Sequence, residues 1–354
     1  MSKKIGIVIG CAGVLAAFGL ELHAVSAFQP KRDRLEIATI SALPSLAGGG
    51  PSEALAIDEA GTVIVGSSWG RSDILHAVKW TLRNGSWSIT ALPHGTASSA
   101  IARAVNNQGD AAGNNFPGLT SQPVLWPATG GFVVLGCDAV GPVTVYGMSA
   151  GAQIVVGQQA DGAAVWQPGS CKADLPRLSA GGFAGAHAVN SDGTIVGGIA
   201  APASNSAAVP VRWTSTDSSW QIEQLDSRAG IVHGANTTGD LAGAVSLSCD
   251  LDDGCQRAVI WYAGGGSLEL GTLGGAHSWA RDLNASREVV GVSTSPRVGN
   301  TAFFWSESMG MFQLPVKGSW AAANALSDVR PDGTRLVVGV NSQGAAVVWS
   351  VRNP

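Results

Sequence analysis

Residues 270–291 read LGTLGGAHSWARDLNASREVVG. A Leu closes an extended run, glycines follow, small and polar residues alternate up to an Asn, and an apolar run then ends in Gly. Alternation, a turn residue and a β-branched run together describe two short strands joined by a tight turn. The phrase returns along the whole chain in altered wording. Its Leu recurs at Leu43, Leu92, Leu135, Leu175, Leu225, Leu270 and Leu314. Its Gly recurs at Gly66, Gly113, Gly157, Gly197, Gly243, Gly291 and Gly339, at spacings of 47, 44, 40, 46, 48 and 48 residues. A Trp completes each cycle at Trp80, Trp126, Trp166, Trp213, Trp261, Trp305 and Trp349. Three markers held in one order over seven cycles mark an internal structural repeat.

Each repeat divides into four short strands. In the first they are EALAID (53–58), TVIVGSS (62–68), HAVKWTL (76–82) and WSITALP (87–93). The turns DEAG, NNQG, NSDG and NTTG begin at Asp58, Asn106, Asn190 and Asn236. Asp or Asn bonds the turn backbone, and the Gly three residues on takes a positive φ at low cost. The sixth copy departs, with Arg287 at the Gly position, and the seventh inserts residues before PDG (331–333). Four strands repeated seven times predict an all-β fold, a seven-bladed β-propeller with four antiparallel strands per blade. A single such sheet cannot bury both faces, so units stack, and a ring protects faces that an open stack would leave bare. The last unit stops after its third strand, AAVVWSV (345–351), while a fourth-strand marker stands ahead of the first unit in LEIATISALP (35–44). An N-terminal strand is therefore expected to complete the last blade and close the ring.

The propeller domain is expected over 35–354, preceded by a short linker at 28–34 and a signal peptide at 1–27. Lys3 and Lys4 precede an apolar run from Ile5 to Leu20, and Val25-Ser26-Ala27 suits signal-peptidase cleavage before Phe28. Two competing readings are an uncleaved anchor, cut short by Glu21, and a lipoprotein site in VIGC (8–11) with Cys11 acylated. Export places the protein in the periplasm, at the cell surface or in the medium, where disulfides are permitted. Cys249 and Cys255 bracket DLDDG (250–254), so a bridge across that hairpin end is expected. Cys137 and Cys171 map toward opposite ends of a sheet, and their pairing stays open. Neither spacing is that of a zinc site.

The 354 residues include 48 Gly, are 13% charged and carry a net charge of -4. Such sparse Lys and Arg argue against nucleic-acid binding. No segment after residue 27 is long and apolar enough to span a membrane as a helix, and a monomer is expected.

LGTLGG (270–275), SWARDLN (278–284), EVVG (288–291), TAFFW (301–305) and HAVKW (76–80) resemble the HAF repeat family of bacterial extracellular repeat proteins. Repeats one, four and six carry the resemblance best, two, three and seven are degenerate, and five holds the cysteine-bracketed insertion. The resemblance covers about residues 35–354. It implies an exported β-propeller and brings no catalytic residues with it.

No HExxH, G-x-S-x-G or CxxC is present. The GGG runs at 48–50 and 264–266 lack the strand-to-helix setting of a phosphate loop. DLDDG offers three carboxylates, short of a calcium loop, and reads as a solvated hairpin tip, so no metal and no cofactor is expected. The inner strands say more. Three residues before each turn stand Leu55, Arg103, Tyr146, His187, His233, Arg281 and Asn324. Six of these seven are large and polar, and small residues flank them. They are expected to ring the central channel and to attract an anionic or polar ligand. The competing reading is a set of cross-blade hydrogen bonds. From marker Gly to marker Trp the distance varies from 9 to 18 residues, so loops between second and third strands vary most. Trp69, Trp279 and Trp320 fall toward that loop face, where exposed aromatics serve as anchors. The expected function is a binding or interaction module for a glycan, small anion or protein partner. A secreted hydrolase or lyase using the ring, or a structural envelope component, are the alternatives. His187 and His233 in adjacent repeats, with Asp282 beside Arg281, are too little to name a reaction.

Overall fold

The repeat pattern dictates short strands that bury both faces, and the fold shows how they do it. The computed structural model describes residues 37–47, 50–136, 142–151, 154–204, 206–216, 219–249 and 254–352. The signal-peptide, linker and Cys11 expectations lie outside these residues, as do Cys137 and the acidic tip Asp250, Asp252 and Asp253. The described chain forms seven four-stranded antiparallel sheets, the blades of a propeller. Their inner strands are Ser52–Ile57, Ser99–Val105, Val143–Met148, Ala184–Val189, Gly230–Ala235, Ser278–Leu283 and Ala321–Leu326 for blades one to seven. The opening stretch is a joint between blades: it leaves the outer strand of blade five, Ser267–Glu269, and supplies the inner strand of blade six, Ser278–Leu283. Blade seven takes its outer strand from the N-terminal side. Ile37–Ala42 pairs antiparallel with Ala346–Arg352, so the ring is closed as expected.

Seven apolar clusters hold the ring, one at each contact between neighbouring blades. At the closure, Leu43, Ile64, Val78 and Trp80 pack on Ala325, Leu336, Val338 and Val348. Six marker tryptophans are almost completely buried, and Trp305 is 7% exposed. Their purpose goes beyond bulk. The Nε1 of Trp80, Trp126, Trp213 and Trp349 donates to the carbonyl of Pro44, Pro93, Pro176 and Pro315, at 2.6, 2.6, 2.7 and 2.8 Å. Each proline follows the marker Leu at the end of the preceding blade's outer strand. Leu-Pro and Trp thus form a latch between blades.

The marker Gly is set by close approach. A Cβ on Gly66, Gly113, Gly157, Gly243, Gly291 or Gly339 would lie 1.9–2.0 Å from a carbonyl oxygen of the adjacent inner strand. In blade four that residue is Gly198 rather than Gly197: its Cβ would meet the Gly185 carbonyl at 2.0 Å, and Gly198 pairs with Ala186 as the other markers pair in their blades. The sequence marker was one residue early there because two glycines stand side by side.

Asx turns follow the expected chemistry. Asn284 Oδ1 accepts from the backbone N–H of Ser286 and Glu288, both at 3.0 Å. Arg287 in this turn keeps the left-handed conformation of the glycine it replaces, with φ 59°. That is unfavourable for a side-chain residue. Its guanidinium bonds the buried Asp240 at 2.7 Å and lies over the Tyr262 ring, which favours the turn.

Candidate functional site

All seven inner strands carry a register shift, and in every blade the unpaired extra residue is the ring residue: Leu55, Arg103, Tyr146, His187, His233, Arg281 or Asn324. In a regular strand side chains alternate toward the two faces of the sheet, which here are the neighbouring blades. A bulge releases one residue from this alternation and re-aims it. All seven bulged residues line the central channel. The seven residues picked out by the sequence register thus share one structural position, the bulge of each inner strand.

The ring divides the channel into two cavities and borders both. On the loop face lies a space of about 680 Å³ lined by the seven ring residues with Trp279, Val292 and Asn300. On the turn face lies a smaller space of about 190 Å³ whose further lining includes Glu59, Asp282 and Asp328. Across this smaller end Ser191 Oγ of blade four donates to Glu59 Oε1 of blade one at 2.5 Å. Asn107 Nδ2 donates to Glu59 Oε2 at 2.6 Å, so three turns are strapped together. Among the described residues, the charged side chains lining the wide end are those of Arg103 and Arg281. The narrow end adds three carboxyl groups. The ring thus holds two guanidinium groups with the Glu53 carboxylate near both, and further carboxyl groups stand toward the turn face.

Cross-blade bonding explains part of the ring. Arg281 Nη1 donates to Asn324 Oδ1, and Asn324 Nδ2 donates to Glu53 Oε1 at 3.1 Å and to the Ala54 carbonyl at 2.8 Å. Sequence reasoning missed Val292 and Asn300, which line the wide cavity, and Glu53. Glu53 lies two residues before Leu55 on the same inner strand, and its charge acts on both Arg281 and Arg103. The other polar ring groups have no such partner. Among the described residues the side chains of Arg103, Tyr146, His187 and His233 make no hydrogen bond to protein, and the buried Nε of Arg103 is left unpaired. Tyr146 and His187 stack at 4.3 Å, and His187 lies 6.0 Å from His233.

Burial sets the electrostatics. It lowers His187 to about 3, with His233 adding to the effect. It lowers His233 to about 4, with the Arg281 charge adding to it. Both are neutral at pH 7. Burial also works against the charge of Arg103 and Arg281, in each case opposed by Glu53. Asp282 moves the other way: burial raises its carboxyl to about 7, although the backbone N–H groups of Leu326 and Leu283 bond it at 3.0 and 2.9 Å.

The face aromatics separate. Trp279 lines the wide cavity and stacks parallel on His277, with centroids 5.3 Å apart and planes within 4°. Trp69 and Trp320 lie at the same ends of blades one and seven, 39% and 40% exposed, and line neither cavity. Cys249 and Cys255 form the expected disulfide, with Cα atoms 5.9 Å apart. Cys171 is also disulfide-bonded. No group of three or more His, Cys, Asp or Glu positioned for a metal occurs among the described residues.

No protein-family model and no curated protein matches the chain. Solved structures do. One is the β-propeller domain of the Trilobed protease from Pyrococcus furiosus, described as having an open velcro topology. It aligns with a TM-score of 0.53 at 9% identity over 86% of this chain and 95% of that one. A structure assigned as TolB from Agrobacterium tumefaciens aligns with a TM-score of 0.45 at 16% identity over 62% and 80%. The chain is a seven-bladed β-propeller.

Proposed function

We propose that this propeller is a binding module that takes a small anionic ligand into the wide, loop-face end of its channel. The observation that carries the reading is Arg103. A bulge turns it into the channel, burial disfavours its charge, and no described residue accepts a hydrogen bond from it. A buried guanidinium without hydrogen-bond acceptors is costly, although the Glu53 charge offsets part of the cost, and an anion supplies the missing acceptors with two-pronged geometry. Arg281 adds a second cation. The Cys249–Cys255 bridge and the disulfide-bonded Cys171 support a protein that works outside the reducing cytosol. The LGTLGG and SWARDLN phrases support a place among the HAF repeat proteins.

The test is thermal unfolding of the wild type and Arg103→Ala across acetate, sulfate, phosphate and uronate salts at matched ionic strength. A ligand present at 100 times its Kd stabilises by about 2.7 kcal/mol. At least one anion should raise the wild-type midpoint and leave that of Arg103→Ala unchanged. If no anion distinguishes the two proteins, the reading fails.

A further inference from the structure

Resting on that anion site, we propose that its ligand class is an acidic saccharide: a uronate whose carboxylate meets Arg103 and whose sugar ring lies against Trp279. The wide cavity offers three kinds of surface, and each rejects part of the competition. Among the described residues Arg103 and Arg281 are the charged side chains that line it, with the Glu53 carboxylate near both. The two arginines select an anion and supply planar donors that match a carboxylate.

Trp279 lies two residues before Arg281 on the inner strand of blade six and lines the same space. His277 stacks parallel on the indole and covers one side of it. That contact fixes the plane of an indole that also lines the cavity. The C–H face of a pyranose carries partial positive charge and suits the negative face of an indole. A bare inorganic anion has no group that would use this surface.

The neutral polar groups separate a saccharide from other carboxylic acids. Tyr146, His187 and His233 line the cavity, and among the described residues none of the three side chains bonds to protein. Each neutral histidine presents one donor and one acceptor, and the Tyr hydroxyl presents both. Asn300 adds an amide. Sugar hydroxyls also donate and accept, so they can pair with every member of this set. An aliphatic or aromatic acid would fill the same volume and leave these groups unpaired, at a loss of affinity. The volume agrees: about 680 Å³ lies within the range of sites for molecules of this size. The narrow end, at about 190 Å³ and rich in carboxyl groups, does not suit a uronate.

Isothermal titration of the full chain tests the assignment. The probes are digalacturonate and dimannuronate, which differ in hydroxyl orientation, with galactobiose as the uncharged counterpart and benzoate as an acid without hydroxyls. At least one uronate should bind ten or more times more tightly than either control. Arg103→Ala should weaken that uronate at least tenfold. Trp279→Leu should weaken it about tenfold with little effect on benzoate. Trp279→Phe, which keeps the packing, should fall between, so a folding defect in the Leu variant leaves the test intact. If benzoate binds as tightly as both uronates, or if both Trp279 variants keep full uronate affinity, the saccharide assignment is overturned and the anion site stands. If neither uronate binds while phosphate or acetate still separates the wild type from Arg103→Ala, the result is the same. If no anion separates them, both readings fall.

Discussion

Arg103 and Arg281 occupy the same bulge in blades two and six, yet replacing each with Ala should give different results. Arg281 donates to Asn324 Oδ1, and Asn324 is 9% exposed. Arg281→Ala leaves that oxygen without its donor, while the Asn324 bonds to Glu53 and Ala54 remain. A stranded buried acceptor costs about 1–3 kcal/mol. Unfolding entropy of about 2.1 cal/mol/K per residue, summed over the roughly 320 residues of the propeller, makes 1 kcal/mol worth about 1.5 °C. Arg281→Ala should therefore lower the ligand-free midpoint by roughly 1.5–4.5 °C. Arg103 has no hydrogen bond to lose, and its truncation removes a charge that burial disfavours. The lost contacts of its aliphatic stem oppose that gain, so the net change should stay within about 1 kcal/mol. Differential scanning calorimetry and urea unfolding followed by tryptophan fluorescence would measure both. A loss above about 2 kcal/mol in Arg103→Ala would falsify the claim that this arginine is unspent in the free protein.

Gly291→Ala places a Cβ 1.9 Å from the Trp279 carbonyl oxygen and should cost more than about 3 kcal/mol, whereas Gly264→Ala, with nothing within 4 Å, should be near neutral by chemical denaturation. Trp213→Phe gives up the 2.7 Å bond to Pro176, whereas Trp261→Phe removes a buried Nε1 that has no partner. Calorimetry should therefore show the greater loss for Trp213→Phe, and equal losses would remove the latch argument. His187 titrates at about 3 in the fold against 6.5 in the unfolded chain, so below 6.5 the unfolded chain takes up the proton and the folded one does not. Its contribution is fully present above 6.5 and falls as pH drops from 6.5 toward 3, by at most about 1.4 kcal/mol per pH unit. Over that window the wild type should lose stability relative to His187→Gln, and parallel curves would show that the histidine is not held neutral.

The sequence made the repeat legible because each marker answers to a contact that every blade must make. Trp and Leu-Pro meet between blades, and Gly yields to a carbonyl oxygen that leaves no room for a Cβ. The chain closure was legible for a similar reason: a strand marker was missing at one end and present in excess at the other. Glu53 went unread because only one repeat places an acid at that position. A signal existed, since the residue sits two before the ring position on the same inner strand. The Gly197/Gly198 ambiguity needed strand pairing to resolve, because adjacent glycines look alike until one of them faces a carbonyl.

What could not be read at all is which ring members are spent. Arg103 in ARAVN and Arg281 in ARDLN have nearly the same local sequence. Their difference arises in the next blade. The bulge of blade seven presents Asn324, whose amide oxygen accepts from Arg281 and whose amide nitrogen passes the contact on to Glu53 and Ala54. The bulge of blade three presents Tyr146, which is engaged with the His187 ring and accepts nothing from Arg103. A bulge repeated in all seven blades therefore sets the position of the ring. Whether each position is structural or free for a ligand depends on the pair formed by neighbouring bulges, some 43 residues apart in sequence for both Arg103–Tyr146 and Arg281–Asn324. Exchanging Tyr146 for Asn would then be expected to do at Arg103 what Asn324 does at Arg281: supply an acceptor for part of the guanidinium and weaken anion binding there, while both arginines keep their charge.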